Sequence, residues 1–238
     1  MNALLRFGSI TLAALALSAC SSLGGDKATT PQGLFDRHIA ATYGSGGLDT
    51  HTSVSSTGKL TIDSFGISAP IVLNQMTPAS TSLKVEIPGA LVRSGCHDGK
   101  CWDQQPGQGL SMVSGSALEL ALQRADYYQF AHMADYYQSL EILPAEDGAE
   151  NDTVRATREN GTADEFHFSK ETGLLMSATT ITEGPQGTLP VTANYSDFRE
   201  TQGILLPMQV EQVTSVVTLK INLEQVTFDQ LSATDFSI

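Results

Sequence analysis

Two cysteines, Cys96 and Cys101, in the stretch Ser94-Gly95-Cys96-His97-Asp98-Gly99-Lys100-Cys101-Trp102, are the residues of this chain best placed for covalent chemistry. Asp98-Gly99 suits the two central positions of a type I′ hairpin turn, both of which need positive φ. His97 then faces Lys100 as a hydrogen-bonded pair, and Cys96 faces Cys101 as the next, non-hydrogen-bonded pair. Cα atoms in such a pair approach to about 4.5 Å, inside the range a disulfide tolerates. The competing chemistry is a metal site of Cys96, His97 and Cys101, but no second cluster of ligands lies nearby in sequence.

The remaining reactive residue types form no catalytic pattern. His38, His51, His97, His132 and His167 are scattered, and none has the spacing of a zinc protease, hydrolase or phosphatase. Asp63-Ser64 and the serines of 111–116 lack a glycine-flanked nucleophile elbow. The carboxylate pairs Glu146-Asp147 and Asp164-Glu165 fall at turns or strand edges, where solvated charge is expected. Neither an enzyme nor a cofactor is expected.

The third cysteine carries a different chemistry. Residues 1–19 hold one charge, Arg6, then the apolar run Ile10–Leu17 and the small residues Ser18 and Ala19, which is the layout of a secretory signal and too short for a membrane span of about 20 residues. Leu17-Ser18-Ala19-Cys20 resembles a bacterial lipobox, in which the cysteine thiol is diacylglycerylated and becomes the new N-terminus. Cys20 is therefore expected to anchor the chain to a membrane, and Ser21 after it fits an outer-membrane resident facing the periplasm. The expected organisation is a signal over 1–19, a lipidated N-terminus and flexible tether over 20–29, and one folded domain over 30–238. The periplasm is oxidising, which favours the Cys96–Cys101 disulfide.

Loss of the signal leaves 12 Lys and Arg against 26 Asp and Glu, a formal net charge of −14. This argues against nucleic acid, whose backbone requires clustered cations, and against charge-driven binding to anionic membranes.

The elements that would position these residues follow from periodicity. Thr30-Pro31 reads as N-cap and first helical residue, with Leu34, Phe35, His38, Ile39 and Thr42 on one face before Tyr43-Gly44. Strands are expected at Ser53–Ile62, Ala69–Met76, Ser82–Ile87, Leu91–Cys96 and Lys100–Gln104, as consecutive antiparallel neighbours. Ser116 and Glu119 have capping-box spacing ahead of Leu118, Leu122 and Ala125. Ala125-Asp126-Tyr127-Tyr128-Gln129 recurs as Ala134-Asp135-Tyr136-Tyr137-Gln138, a local duplication whose tyrosines are expected to cover an apolar surface. From Leu140 strands resume, with turns at Asp147-Gly148, Asn160-Gly161, Glu171-Thr172-Gly173 and Gly184–Gly187. Some ten strands and two helical segments, an α+β class of mainly antiparallel β, exceed what a flat sheet carries comfortably, so strong curvature around the helices is expected.

Four stretches carry a family resemblance: Ala40-Ala41-Thr42-Tyr43-Gly44 running into Gly47-Leu48 and Ser56-Thr57-Gly58; the Asp98-Gly99 hairpin ending at Trp102; Phe166-His167-Phe168 leading to Thr172-Gly173-Leu174-Leu175; and Tyr195-Ser196-Asp197-Phe198-Arg199 followed by Gly203-Ile204-Leu205-Leu206-Pro207. In order and spacing they resemble the periplasmic lipoprotein carrier and receptor proteins LolA and LolB and their lipoprotein-sorting relatives. The resemblance implies an incomplete antiparallel β-barrel whose open side is covered by helices, enclosing an apolar cavity for acyl chains. Cys20 makes the chain a resident, nearer in kind to LolB, although the stretch matching LolB's protruding apolar loop, Ile87-Pro88-Gly89-Ala90-Leu91, is short. Arg93 is the positional candidate for the family's cavity arginine.

Expected cavity residues are Leu73, Val85 and Ile87 from the early strands, Trp102 from the hairpin, and Leu118 and Leu122 from the helix. Phe166, Phe168, Met176, Met208 and Val210 join them from the late strands. Methionines suit a surface that accepts variable apolar shapes. The expected partners are acyl chains of lipids or lipoproteins and the membrane reached through the N-terminal lipid. The alternative is a non-catalytic structural accessory with an envelope protein partner.

Overall fold

Thr30 starts the first helix, α1 (Pro31–Tyr43), by accepting a hydrogen bond from Gly33 N at 3.1 Å, while Pro31 sits where no intrahelical N–H is needed. The computed structural model describes residues 30–184 and 187–237. The signal sequence, Cys20 and the tether lie outside them.

The first wing of the sheet comprises β1 (Ser53–Ile62), β2 (Ile67–Met76), β3 (Ser80–Ile87), β4 (Ala90–His97), β5 (Lys100–Gln104) and β6 (Ser111–Met112). After α2 (Ser116–Ala125) and the one-turn α3 (Met133–Tyr136), the chain builds β7 (Ser139–Leu143), β8 (Asn151–Thr157), β9 (Ala163–Ser169), β10 (Leu175–Gly184), β11 (Gly187–Thr201), β12 (Ile204–Val213) and β13 (Thr218–Phe228). The order across the sheet is β6-β5-β4-β3-β2-β1-β13-β12-β11-β10-β9-β8-β7. The chain thus enters at the middle, works outward to one edge, crosses to the far edge and works back until β13 pairs with β1. Every ladder is antiparallel and the sheet is not closed.

Thirteen strands stand where about ten were expected, since a two-residue strand such as β6 has no alternation to betray it. The hairpin register is as expected: Asp98 and Gly99 take φ 49° and 72°, and Cys96 pairs with Cys101. The two sulfurs are bonded, with Cα atoms 4.1 Å apart, which removes both thiols from any metal site. The capping box does not form. Gly115, at φ 63° and ψ −149°, is the N-cap of α2 with no side-chain cap, because glycine turns the chain one residue earlier than a serine cap would. At the bulge between Thr57 and Gly58, a Cβ on Gly58 would fall 2.1 Å from Asn222 O, so this close strand crossing tolerates only glycine.

Curvature follows from what α1 touches. It packs against β7, β8 and β12, and β7 and β12 lie five places apart in the sheet. Flat, those strands would be about 24 Å apart at roughly 4.8 Å per step. A helix only about 10 Å wide can meet both only if the sheet wraps around it. The result is a strongly curved, incomplete barrel with helices on its inner face.

Candidate functional site

Antiparallel partners point their side chains to one face, so register defines the inner surface. One inner row runs Ile142, Val154, Phe166, Ala178, Ala193, Gln212, Leu219 across β7 to β13. The next runs Tyr195, Val210, Ile221, Leu60, Ala69 from β11 to β2. Both belong to one apolar cluster that draws on strands from each wing.

Part of this surface is filled by α1. Phe35 meets Phe168 and Phe166 edge-on at 5.1 and 5.4 Å and stacks with Phe130 at 6.0 Å. Leu34, Phe35, Val154, Phe168, Ile204 and Leu206 keep no exposed surface. His38 is sealed in the same layer. Its Nδ1 accepts a hydrogen bond from Leu175 N at 3.2 Å, and burial drives its pKa from 6.5 to about 3, so the ring is neutral with its proton on Nε2. Nε2 has no hydrogen-bond partner, but the ring meets Phe130 edge-on at 5.1 Å, where an N–H to the aromatic face is satisfied weakly.

The rest of the surface is covered differently. Segment 126–137, with no helix longer than α3, lays Tyr127, Met133 and Tyr137 onto the cluster and Tyr128 and Tyr136 at its margin. Tyr127 N donates to Pro78 O at 2.9 Å, which pins this segment to the β2–β3 turn. In the cluster as a whole Leu73, Leu83, Met208 and Leu219 each retain 7 % of their surface and Phe166 6 %. The facing small residues Ala178 and Ala193 adjoin Phe166 in the first inner row.

The structure unites six of the expected cavity residues, Leu73, Val85, Phe166, Phe168, Met208 and Val210, in this cluster, with Ile87 partly buried at its margin. Four others stand elsewhere. Trp102 pairs with Gly95, three residues from the inward Val92, so alternation turns it to the outer face; a Cβ on Gly95 would lie 2.8 Å from its ring. Arg93 shares that outer face, stacked 5.7 Å from the Trp102 ring and donating from Nε to Gln104 Oε1 at 2.6 Å, so it is no cavity arginine. Leu118 and Leu122 pack on a separate small cluster around Cys96, Cys101 and Ala125. Met176 sits at the β9–β10 bulge, half-buried and outside the main cluster.

Asp164 corrects the expectation of solvated charge. It has no exposed surface, and its Oδ2 accepts from Arg158 at 2.5 Å and Tyr137 Oη at 2.6 Å while Oδ1 accepts from Ile181 N at 2.9 Å. Gln123 closes the network, accepting from Arg158 at 2.7 Å and donating to Tyr137 Oη at 3.1 Å. Arg124 reaches across from α2 to Thr180 Oγ1 at 3.3 Å; burial lowers its pKa to about 10, which leaves it cationic at neutral pH. The signal was present in the sequence, because Asp164 continues the inward set of Phe166 and Phe168. Its neighbour Glu165 does face outward, bound to Arg155 at 2.9 Å. A second hub, Asp126, accepts from His132, Tyr136 and the Tyr128 amide at 2.7, 2.7 and 2.9 Å. Among the described residues no three His, Cys, Asp or Glu side chains are grouped to hold a metal.

No family model and no curated protein matches the sequence. Solved structures do. A DUF1329 family protein from Desulfovibrio piger superposes with a TM-score of 0.59 at 14 % identity, over 90 % of this chain and 98 % of that one. A LolA superfamily protein from Nitrosomonas europaea gives 0.58 at 12 %, over 89 % and 99 %. The fold is LolA-like. A domain from Vibrio parahaemolyticus, described as an outer membrane lipoprotein-sorting protein domain, gives 0.51 at 12 %, over 78 % and 89 %.

Within this LolA-like half-barrel, the stretches 166–175 and 195–207 lie against α1. Arg37 donates to Ser169 O and lies against Gly173, whose φ is 78°. Leu175 N meets His38, and Ile204 and Leu206 lie in the layer that α1 fills. The spacing that carries the resemblance is the spacing that seats the helix.

Proposed function

We propose that this protein is a membrane-anchored, periplasm-facing lipoprotein that holds acyl chains of lipids or lipoproteins against the inner face of its half-barrel and takes part in their transfer or localisation at the outer membrane. The observation carrying this reading is one apolar inner surface drawn from strands of both wings, packed by α1 along β7, β8 and β12 and elsewhere met by the short tyrosine-bearing segment 126–137. An acyl chain needs a wall of this kind, apolar and not already occupied by a helix. Binding rather than catalysis is the role, since Asp164, Arg158, Tyr137 and Gln123 on the inner face are engaged with one another instead of being grouped as nucleophile and base. Saturable, stoichiometric uptake of a fluorescent fatty acid by delipidated protein supports the proposal, and absence of uptake refutes it. For the anchor, Cys20→Ala is expected to release the protein from the membrane fraction; unchanged retention contradicts that part.

One observation favours a second reading, an accessory that binds an envelope protein. Phe65, Leu110 and Val216 are exposed and lie on the β1–β2, β5–β6 and β12–β13 connections, all at one end of the sheet. A stable protein partner that masks these residues, with no lipid uptake, would select it.

A further inference from the structure

Two hydroxyls in the inner cluster, Tyr127 Oη and Tyr195 Oη, are buried without a hydrogen-bond partner. A buried polar group left unpaired is costly, and native structures leave few of them. His38 at least meets the Phe130 ring edge-on, whereas Tyr195 meets no aromatic ring among the described residues. Tyr195 stands on β11, opposite Val210 and two residues from Ala193, which faces Ala178. The two alanines leave the sheet floor low beside the phenol, and Arg124 lies near enough for its charge to act on the Tyr195 hydroxyl. The environment is thus a mainly apolar wall in which the Tyr195 hydroxyl is unpartnered among the described residues, with Gln212 and the Arg124 cation nearby.

That composition selects among lipids. A bare hydrocarbon offers the hydroxyl nothing. A sugar headgroup brings many polar atoms to a wall that is mainly apolar. An acyl carbonyl oxygen, whether of a free carboxyl or of an ester, is an acceptor attached directly to an apolar chain and matches both features. We infer that Tyr195 donates a hydrogen bond to the carbonyl oxygen of a bound acyl group, making this face selective for carboxyl- or ester-bearing lipids over ether-linked ones. The inference rests on the acyl-binding reading and names its ligand class.

The test is Tyr195→Phe in the mature protein, which removes one oxygen. Affinities for three probes are measured: a fatty acid, a diacylglycerol and its dialkyl ether analogue. Wild type is expected to bind the first two more tightly than the third. Tyr195→Phe is expected to weaken the carbonyl probes roughly two- to tenfold, the range of one net hydrogen bond, while the ether is unaffected and the melting temperature does not fall. Loss confined to the fatty acid or to the diacylglycerol identifies which source of the carbonyl Tyr195 serves. Tyr137→Phe is the control, because its hydroxyl already serves Asp164: it should lower stability and leave the ester-to-ether ratio alone. An unchanged ratio in Tyr195→Phe, or equal weakening of all probes with a lower melting temperature, overturns the inference while the acyl-binding reading stands. Failure of wild type to take up any probe overturns both.

Discussion

Two parts of one inner face differ in what lies on them. Where α1 sits, Phe35 packs against Phe166, Phe168 and Phe130, and Leu34, Phe35, Phe168, Ile204 and Leu206 keep no exposed surface. Segment 126–137 instead lays Tyr127, Met133 and Tyr137 onto the same cluster from a stretch with no helix longer than one turn. The two parts differ in the covering element, not in the kind of strand beneath it. A helix presents a regular stripe that interdigitates with a curved sheet, whereas a chain of short turns held through Asp126 and Pro78 sets single side chains onto it.

The largest effect that could break this distinction is truncation. Phe35→Ala should cost about 3–5 kcal/mol, because the filled layer cannot collapse around the void, whereas Leu83→Ala, at a position that keeps 7 % of its surface, should cost less than about 2 kcal/mol. Denaturant unfolding measures both, and equal costs would mean that the two positions are packed alike.

Acid should sharpen the distinction next. His38 is neutral in the α1 layer, with its folded pKa lowered to about 3 against 6.5 unfolded. Between these values the unfolded chain binds the proton that the folded chain refuses, so stability falls as pH drops from about 6.5 to 3, by up to roughly 1.4 kcal/mol per pH unit, and His38 contributes no further change below. His38→Phe should flatten that slope relative to wild type. An unchanged slope would show that the α1 layer admits water or charge.

Much of this architecture was legible in the residues. Pro31 and Thr30 marked α1, and the bounds of β1 and β5 emerged from alternation flanked by turn residues. Asp98-Gly99 set the register that joins Cys96 to Cys101. The site was harder to read, because face depends on parity and parity is lost at turns and bulges. Trp102 follows a two-residue hairpin that returns it to the outer face, and Met176 sits at a one-residue bulge. Leu118 and Leu122 share a helical face, but nothing local says that this face meets the disulfide rather than the main cluster. Asp164 was misjudged by residue type: a carboxylate beside a turn is usually solvated, and the partners that make its burial tolerable come from 6 to 27 residues away.

The most direct measurement is fatty-acid uptake by a matched pair of overpacked variants, Phe168→Trp at a position with no exposed surface and Met208→Trp at one that keeps 7 %. Phe168→Trp should lose about 1–3 kcal/mol of stability, since its layer has no room. Met208→Trp should keep the wild-type melting temperature and lose saturable uptake, because the indole occupies the space the chain would take. Uptake by Met208→Trp equal to wild type, or unfolding of both variants to the same extent, would contradict an acyl-binding surface on the inner face.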